Sequence, residues 1–444
     1  MDILNAAEDV IKLIKGKGVE GEVVVSKQDS ISVSQRLLKP EEMVQDRGVQ
    51  IGVRVVVGDK KHACISSNDI EGIADLIDTA VSIADLSPED PYFSLSEEAG
   101  SYADSGEELM MCDDTVVDVG KMREILTTIE EEALATDSRV VNTEEVNFAK
   151  ATTEVALVST KGFYGSYKRS CFSAYISTVA SENNKMEVDY SFSVKSKFSD
   201  LEDPKTLGRE AANRTLKRLN ARDIKTCRMP IVFENRVASS LLSNFAAAIN
   251  GEAVANKTSF LSAKMGEKIF RDDICIVDDP LVIGGISSRP FDGEGIMSKR
   301  KNVVENGILK SWILDMRTAK RLSLNTTGNA SRSSNASVSP KVSNFFIEPS
   351  GISVSELISD IKYGLYITDL FGFGINLTTG DYSQGAFGFI IDNGSISYPV
   401  HGVTVAGNLA SMFSSMRAAN DLVLLKSVNS PTLRFSEMVV SGTD

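Results

Sequence analysis

The chain has 444 residues, more than one hydrophobic core usually serves, and its 42% apolar and 24% charged residues are ordinary globular values. A formal charge of −14 opposes nonspecific adhesion to nucleic-acid phosphates, and no apolar run is long enough to span a membrane. Five scattered cysteines without a C-x-x-C spacing, and a start at Met1-Asp2-Ile3-Leu4 without a basic leader, fit a reducing cytoplasm.

The chain reads as α+β: N-terminal α/β meander segments, then a C-terminal mixed domain with a large, glycine-rich, mainly antiparallel sheet. Asp2 caps a predicted helix whose face carries Ile3, Ala7, Val10, Ile11 and Ile14, ended by Gly16 and Gly18. Alternation at 30–34 and the apolar run at 49–57 predict strands, with Gly58-Asp59 turning the second into a third at 62–66. Asn68 is placed as the cap of a helix carrying Ile70, Ile73, Leu76, Ile77, Ala80 and Ala84. Residues 1–86 are thus expected to form one domain. Residues 87–114 hold nine acids and no Lys or Arg, and are expected to be an exposed acidic connector. The acids lack the D-x-D-x-D-G spacing of a calcium loop.

A central domain is expected over 115–228. It combines a helix through Met122, Ile125, Leu126, Ile129 and Ala133 with short strands from Arg139 to Lys197, turning at Lys161-Gly162 and Asn183-Asn184. Asp203-Pro204 opens another helix. Eight bases against two acids lie between Lys205 and Arg228. Without stacking aromatics they read as a solvated helix face or an inter-domain contact rather than a nucleic-acid patch. A β-rich domain is expected over 229–444, starting with a strand at 230–234 and a helix capped by Asn235. Two Asn-Gly hairpins are expected, at Asn306-Gly307 and Asn393-Gly394. Nine glycines fall between Gly364 and Asn408, a density that predicts tightly bent sheet with backbone open to a ligand or partner.

Simple catalytic patterns fail on spacing. The only histidines, His62 and His401, are not followed by Glu, and His62-x-Cys64 offers two ligands where zinc needs at least three. Ser383, Asp392 and His401 fall in a hydrolase order, but Asp381-Tyr382-Ser383-Gln384-Gly385 lacks the first glycine of a nucleophile elbow. No phosphate loop or dinucleotide fingerprint is present. Polar residues do gather at turns of the second half: Arg289, Asp292, Glu294 and Arg300, then residues 326–332, then Asp381 and Asn408. For each alone, loop capping or ion pairing suffices. As a set they outline a candidate surface for substrate.

The block Arg289-Pro290-Phe291-Asp292-Gly293-Glu294-Gly295, the hairpin at 303–309, Thr327-Gly328-Asn329-Ala330, Gly380-Asp381-Tyr382-Ser383 and the run from Asn393 to Asn408 together resemble the C-terminal domain of the TldD/PmbA family. Residues 45–54, ending in Gly52-Val53-Arg54, resemble its N-terminal domain. The resemblance implies a cytoplasmic metalloprotease, formerly called a modulator of DNA gyrase, built from two related subunits. The TldD type holds zinc through an H-E-x-x-x-H helix and a late cysteine; the TldE (PmbA) type does not. At the best match here, Ser243 and Ala248 stand where the histidines would be and Asn244 where the general base would be, and no cysteine follows Cys275. Ser, Asn and Ala cannot hold Zn²⁺ usefully.

The resemblance therefore implies a TldE-type subunit. It would carry no cofactor of its own, zinc being expected in a TldD-like partner, with a homodimer as the assembly when alone. Extended peptide is the expected substrate, in antibiotic-peptide maturation or antitoxin degradation. Membrane association and direct nucleic-acid binding are not expected. Residues assigned to face substrate or partner are Arg289, Asp292, Glu294, Asn329, Arg332, Asp381 and Ser383. The rival readings are an independent metal-free hydrolase and a gyrase- or DNA-associated binding protein.

Overall fold

A computed structural model describes residues 2–58, 60–69, 72–97, 100–102, 106–332 and 337–442. The expected turn residue Asp59 and the helix residue Ile70 lie outside them. The first half comprises α1 (Ile3–Gly16), β1 (Glu20–Arg36), β2 (Lys39–Val57), β3 (Lys61–Ser67), α2 (Ile73–Leu86), β4 (Gly100–Tyr102), α3 (Val119–Thr136), β5 (Val140–Ser159), β6 (Phe163–Glu182), β7 (Lys185–Lys195) and α4 (Pro204–Arg218). One sheet gathers all seven strands in the order β3-β2-β1-β5-β6, with β4 and β7 both on β6. The strands from 1–86 and 115–228 are therefore continuous, joined by a β1–β5 ladder from Glu22↔Ser159 to Gln35↔Val146.

Side-chain parity divides this sheet's two faces. Val23, Val25, Ala156 and Val158 point at α1 and α2, while Val33, Val146 and Phe148 point at α3 and α4. All four helices thus cover one face. The opposite parity, including Glu22, Val24, Ser26, Gln50, Gly52 and Arg54, turns toward the second half of the chain.

Three expectations change here. The second helix starts at Ile73 behind Gly72, with no side-chain cap, so Asn68 is not its cap. Glu234, not Asn235, is the residue before the helix at 235. The acidic segment is not an exposed connector throughout. Phe93, Leu95 and Met111 are buried, Phe93 stacks on His62 at 4.0 Å, and Asp90 pairs with Arg317 at 2.7 Å. Composition weighed its acids, whereas its few apolar residues decide where the backbone lies.

The second half opens with β8 (Cys227–Phe233), α5 (Asn235–Ala248) and α6 (Gly251–Ala255). Short strands follow: β9 (Ile276–Asp278), β10 (Lys301–Glu305), β11 (Ile308–Leu309), β12 (Ala330–Arg332), β13 (Val338–Pro340) and β14 (Phe345–Ile347), with α7 (Met316–Arg321) among them. After α8 (Val354–Ile358) come β15 (Tyr363–Asn376), β16 (Asp381–Asp392), β17 (Ser395–Asn408), α9 (Leu409–Ser415), β18 (Arg417–Ala418), β19 (Val428–Asn429) and β20 (Leu433–Ser441).

The ladder β17-β16-β15-β8-β20 returns to β17 through Thr404↔Ser441, Val405↔Val440 and Ala406↔Val439, closing five strands into a barrel. All contacts are antiparallel except β8–β15. The glycine density serves that closure. A Cβ on Gly374 would lie 1.9 Å from the Ser383 carbonyl oxygen, and one on Gly385 would lie 2.1 Å from the Phe371 ring. The bent sheet is as expected, but at these two glycines the chain's own atoms fill the space left for a ligand.

Candidate functional site

Between the open face of the first sheet and the polar loops of the second half lies a cavity of about 370 Å³. Its floor comes from β1, β2 and β5, through Val24, Ser26, Gln50, Gly52, Thr153 and Val155. Its roof comes from residues 287–293, β12 and Lys341-Val342. Phe291 fixes the roof to the floor, edge-on to Phe163 at 5.0 Å and to Tyr167 at 5.3 Å. Gly165 must be glycine for this, since a Cβ there would meet the Phe291 ring at 2.8 Å.

Asp292 organises the roof. One carboxylate oxygen accepts the N–H groups of Glu294 (2.8 Å) and Ile296 (3.0 Å), and the other accepts the Ala330 N–H (2.9 Å). Beside it runs a buried charge chain. Arg54 Nη2 lies 2.5 Å from Glu22 Oε1 and 3.3 Å from Glu294 Oε1, and Arg332 pairs with the same Glu22 oxygen. Glu294 Oε2 accepts the Met316 N–H at 2.9 Å, and Arg332 Nε donates to the Gly293 carbonyl at 2.6 Å.

The environments split the carboxyls. Burial opposes the charge on Glu22, but Arg332 and Arg54 outweigh it and hold its pKa below the ordinary range. Burial pushes Glu294 up to about 7, because Arg54 is shared with Glu22 and the like charge of Asp292 stands close. Burial also raises Asp292, against the pull of Arg289 and its three N–H donors.

Of the residues assigned from sequence, Arg289, Asp292 and Arg332 line the cavity, and Glu294 sits behind them. Asn329 is fully buried and structural: its amide donates to Asp278 at 2.7 Å and accepts from Lys301 at 2.9 Å. Asp381 and Ser383 are elsewhere, exposed on β16. Ser383 and Asp392 also stand at opposite ends of that strand, on the order of 30 Å apart at about 3.3 Å per residue, so they cannot join His401 in a triad. The serine version of the hydrolase reading fails on this distance.

Sequence reasoning missed Glu22, Arg54, Arg169 and Lys341 as site residues. The available signal was Arg54 itself, a charge inside the run Val53-Arg54-Val55-Val56-Val57, where continuous apolar residues imply burial on both faces.

On α5, Ser243 is exposed with its hydroxyl bonded to the Ser239 carbonyl at 2.9 Å, Asn244 is half-buried and Ala248 is fully buried. The helix spaces these positions as the zinc-holding motif would, but none supplies a strong metal donor. Among the described residues no group of three or more His, Cys, Asp or Glu is placed to hold a metal ion. The donor set does not fit zinc.

The chain matches the sequence profile of the PmbA/TldA metallopeptidase domain 1 over residues 21–84, its central domain over 113–219 and its C-terminal domain over 226–442. The chain belongs to the PmbA/TldD metallopeptidase family. It is 31% identical over 440 residues to the metalloprotease PmbA of Escherichia coli, covering 98% of this chain and 95% of that one. The PmbA homolog of Haemophilus influenzae is 30% identical over 99% of this chain and 96% of its own. Among solved structures, a proposed modulator of DNA gyrase from Bacteroides thetaiotaomicron superposes with a TM-score of 0.89 at 24% identity, covering 100% of both chains. TldE from Thermococcus kodakarensis does so with a TM-score of 0.87 at 20% identity, over 98% of this chain and 100% of its own. Both structures share the fold of this chain. No helix among the described residues is long and apolar enough to cross a membrane.

Proposed function

We propose that this chain is the non-catalytic subunit of a heteromeric zinc peptidase, pairing with a TldD-type chain and helping to hold an extended, unfolded peptide. The observation that carries the reading is the donor chemistry of α5. Its Ser243, Asn244 and Ala248 can neither bind Zn²⁺ nor take a proton from an attacking water, within a family named for metallopeptidase activity.

An open strand edge supports the reading of a partner subunit. Residues 39–48 of β2 are exposed, pair with β1 on one edge, and have no ladder partner on the other among the described residues. Such an edge is a template for another strand. It comes in addition to the backbone expected to be open in the glycine-rich sheet, where β17 pairs with β20 only at Thr404–Ala406 and β15 with β8 only at Leu365–Ile367.

The test is co-expression with a TldD-type chain, followed by metal analysis of each subunit and of the complex, with peptidase assays on unfolded substrate. Expected are a stable complex, zinc confined to the TldD-type subunit, and cleavage only by the complex. Stoichiometric zinc and peptide cleavage in the isolated chain would reverse the assignment.

A further inference from the structure

The cavity wall holds a guanidinium with incomplete hydrogen bonding. Arg289 donates from Nη1 to the Ala330 carbonyl at 3.1 Å. Its Nε and Nη2 are shielded from solvent and have no partner. These two nitrogens form the side-on fork of the guanidinium, whose parallel N–H bonds match the two oxygens of a carboxylate.

The neighbouring acid does not complete the fork: Asp292 accepts two backbone N–H groups on one oxygen and one on the other, and makes no hydrogen bond to Arg289 Nε or Nη2. A buried donor left unpaired costs about 1–3 kcal/mol, so such groups in native proteins are few.

The surrounding charge agrees. Arg169 and Lys341 line the same cavity, are exposed, and make no ion pair among the described residues. Arg332 is committed to Glu22 and the Gly293 carbonyl. Four cationic side chains and one carboxylate therefore line this space, in a chain whose formal charge is −14. Val24, Val155, Leu157 and Val342 add apolar wall, and Ser26 and Thr153 add hydroxyls. The volume is in the range of small-ligand sites, too small for a folded partner.

We propose that this cavity seats a carboxylate of an extended peptide on the Nε–Nη2 fork of Arg289, the guanidinium turning that shielded edge into the space as the acid arrives, with Arg169 and Lys341 drawing the acid in. The peptide as carrier rests on the function proposed above. The carboxylate itself rests on the fork. Its source is the peptide's C-terminus or an Asp or Glu side chain, the same chemistry in either case.

The test uses the full chain alone, without a TldD-type partner or zinc, so its outcome is independent of the partner-subunit assignment. An N-terminally labelled octapeptide is titrated by fluorescence anisotropy in four forms: free or amidated C-terminus, each with Glu or Gln at one internal position. Expected is at least tenfold tighter binding of one carboxylate-bearing form than of the amidated Gln form, and the form that wins names the source. Arg289→Lys keeps the charge and loses the fork. It should weaken the winning peptide at least tenfold and leave the neutral form unchanged. Thermal melts without peptide check its folding. The exposed-site variants Arg169→Gln and Lys341→Gln, which carry no folding risk, should each weaken the same peptide a few-fold and reduce its salt dependence. Equal affinity for all four peptides, no binding at millimolar peptide, or full affinity in Arg289→Lys would overturn the proposal.

Discussion

Arg54 and Glu294 meet at 3.3 Å although 240 residues separate them in the chain. Arg54 is drawn more closely to Glu22, so Glu294 is left with a share of one cation and the company of Asp292. A carboxyl so placed is held partly neutral by the fold, and that makes stability depend on pH.

The sign follows from proton counting. Glu294 titrates near 7 when folded against an ordinary 4.5, so between those values the native state binds more protons than the unfolded chain. Its contribution is full below about 4.5 and is lost as pH rises through about 7, up to about 3 kcal/mol at about 1.4 kcal/mol per pK unit. Glu22 runs the other way: its folded pKa is lowered, so its contribution holds above the ordinary carboxyl range and is lost as pH falls through the folded value. Glu294→Gln imitates the protonated form. Denaturant unfolding at pH 5 and pH 8 should show a smaller loss of stability toward pH 8 in the variant than in the native chain. Parallel pH slopes would mean that Glu294 is not the group responsible.

The turn between β1 and β2 yields a second prediction. Leu37 and Leu38 occupy it at φ 49° and 59°, a left-handed pair that usually demands Asn-Gly. The buried carboxylate of Glu130 holds it by accepting the N–H groups of Leu37 (2.6 Å) and Leu38 (2.8 Å). Both leucines are nearly half exposed, so little burial is at stake. Leu37→Asn combined with Leu38→Gly keeps the Glu130 bonds and removes the steric penalty. The double variant should gain about 2 kcal/mol. An unchanged or lower midpoint in denaturant would show that the leucines contribute something beyond the turn.

That turn also shows where the sequence was readable. Asn183-Asn184, Asn306-Gly307 and Asn393-Gly394 carry their turn chemistry locally, and each takes the positive φ expected of it. Asp203 with Pro204 likewise opens α4 as read, its side chain accepting the Thr206 N–H. Leu37-Leu38 carries no such signal, because a glutamate about ninety residues away sets the turn. The site behaves similarly. The polar turns of the second half could be named from sequence, but which of them face the cavity depends on the parity of β1, β2 and β5. A one-residue slip would have turned Glu22 and Arg54 toward the helices.

Glycine substitution can separate close packing from permissiveness. Gly374→Ala would drive a methyl into the Ser383 carbonyl and should cost about 3 kcal/mol through displaced strands. Gly48 on β2 has nothing within 4 Å of its Cβ position and no positive φ. Gly48→Ala should therefore be neutral or add about 0.5 kcal/mol by restricting the unfolded chain. Equal effects of the two changes, read from denaturant midpoints, would refute the account of the barrel glycines.

The free edge of β2 gives the last prediction. Met43 and Val44 are 54% and 47% exposed there, apolar side chains on a strand with one unpaired edge. Proteins usually blunt such an edge with charge, and Met43-Val44 leaves its middle apolar. Lys39, Glu41, Glu42, Asp46 and Arg47 already flank them, and Met43→Lys with Val44→Lys would remove the one apolar stretch. Both positions are surface sites, so the isolated chain's stability should stay within about 0.5 kcal/mol. Assembly with a TldD-type chain, or with a second copy when no partner is present, should weaken at least tenfold by analytical ultracentrifugation. The double substitution thus separates docking from folding. An intact complex with an unchanged dissociation constant would place the interface elsewhere, and a collapsed melting temperature would mean that the two side chains hold the β1–β2 ribbon itself together.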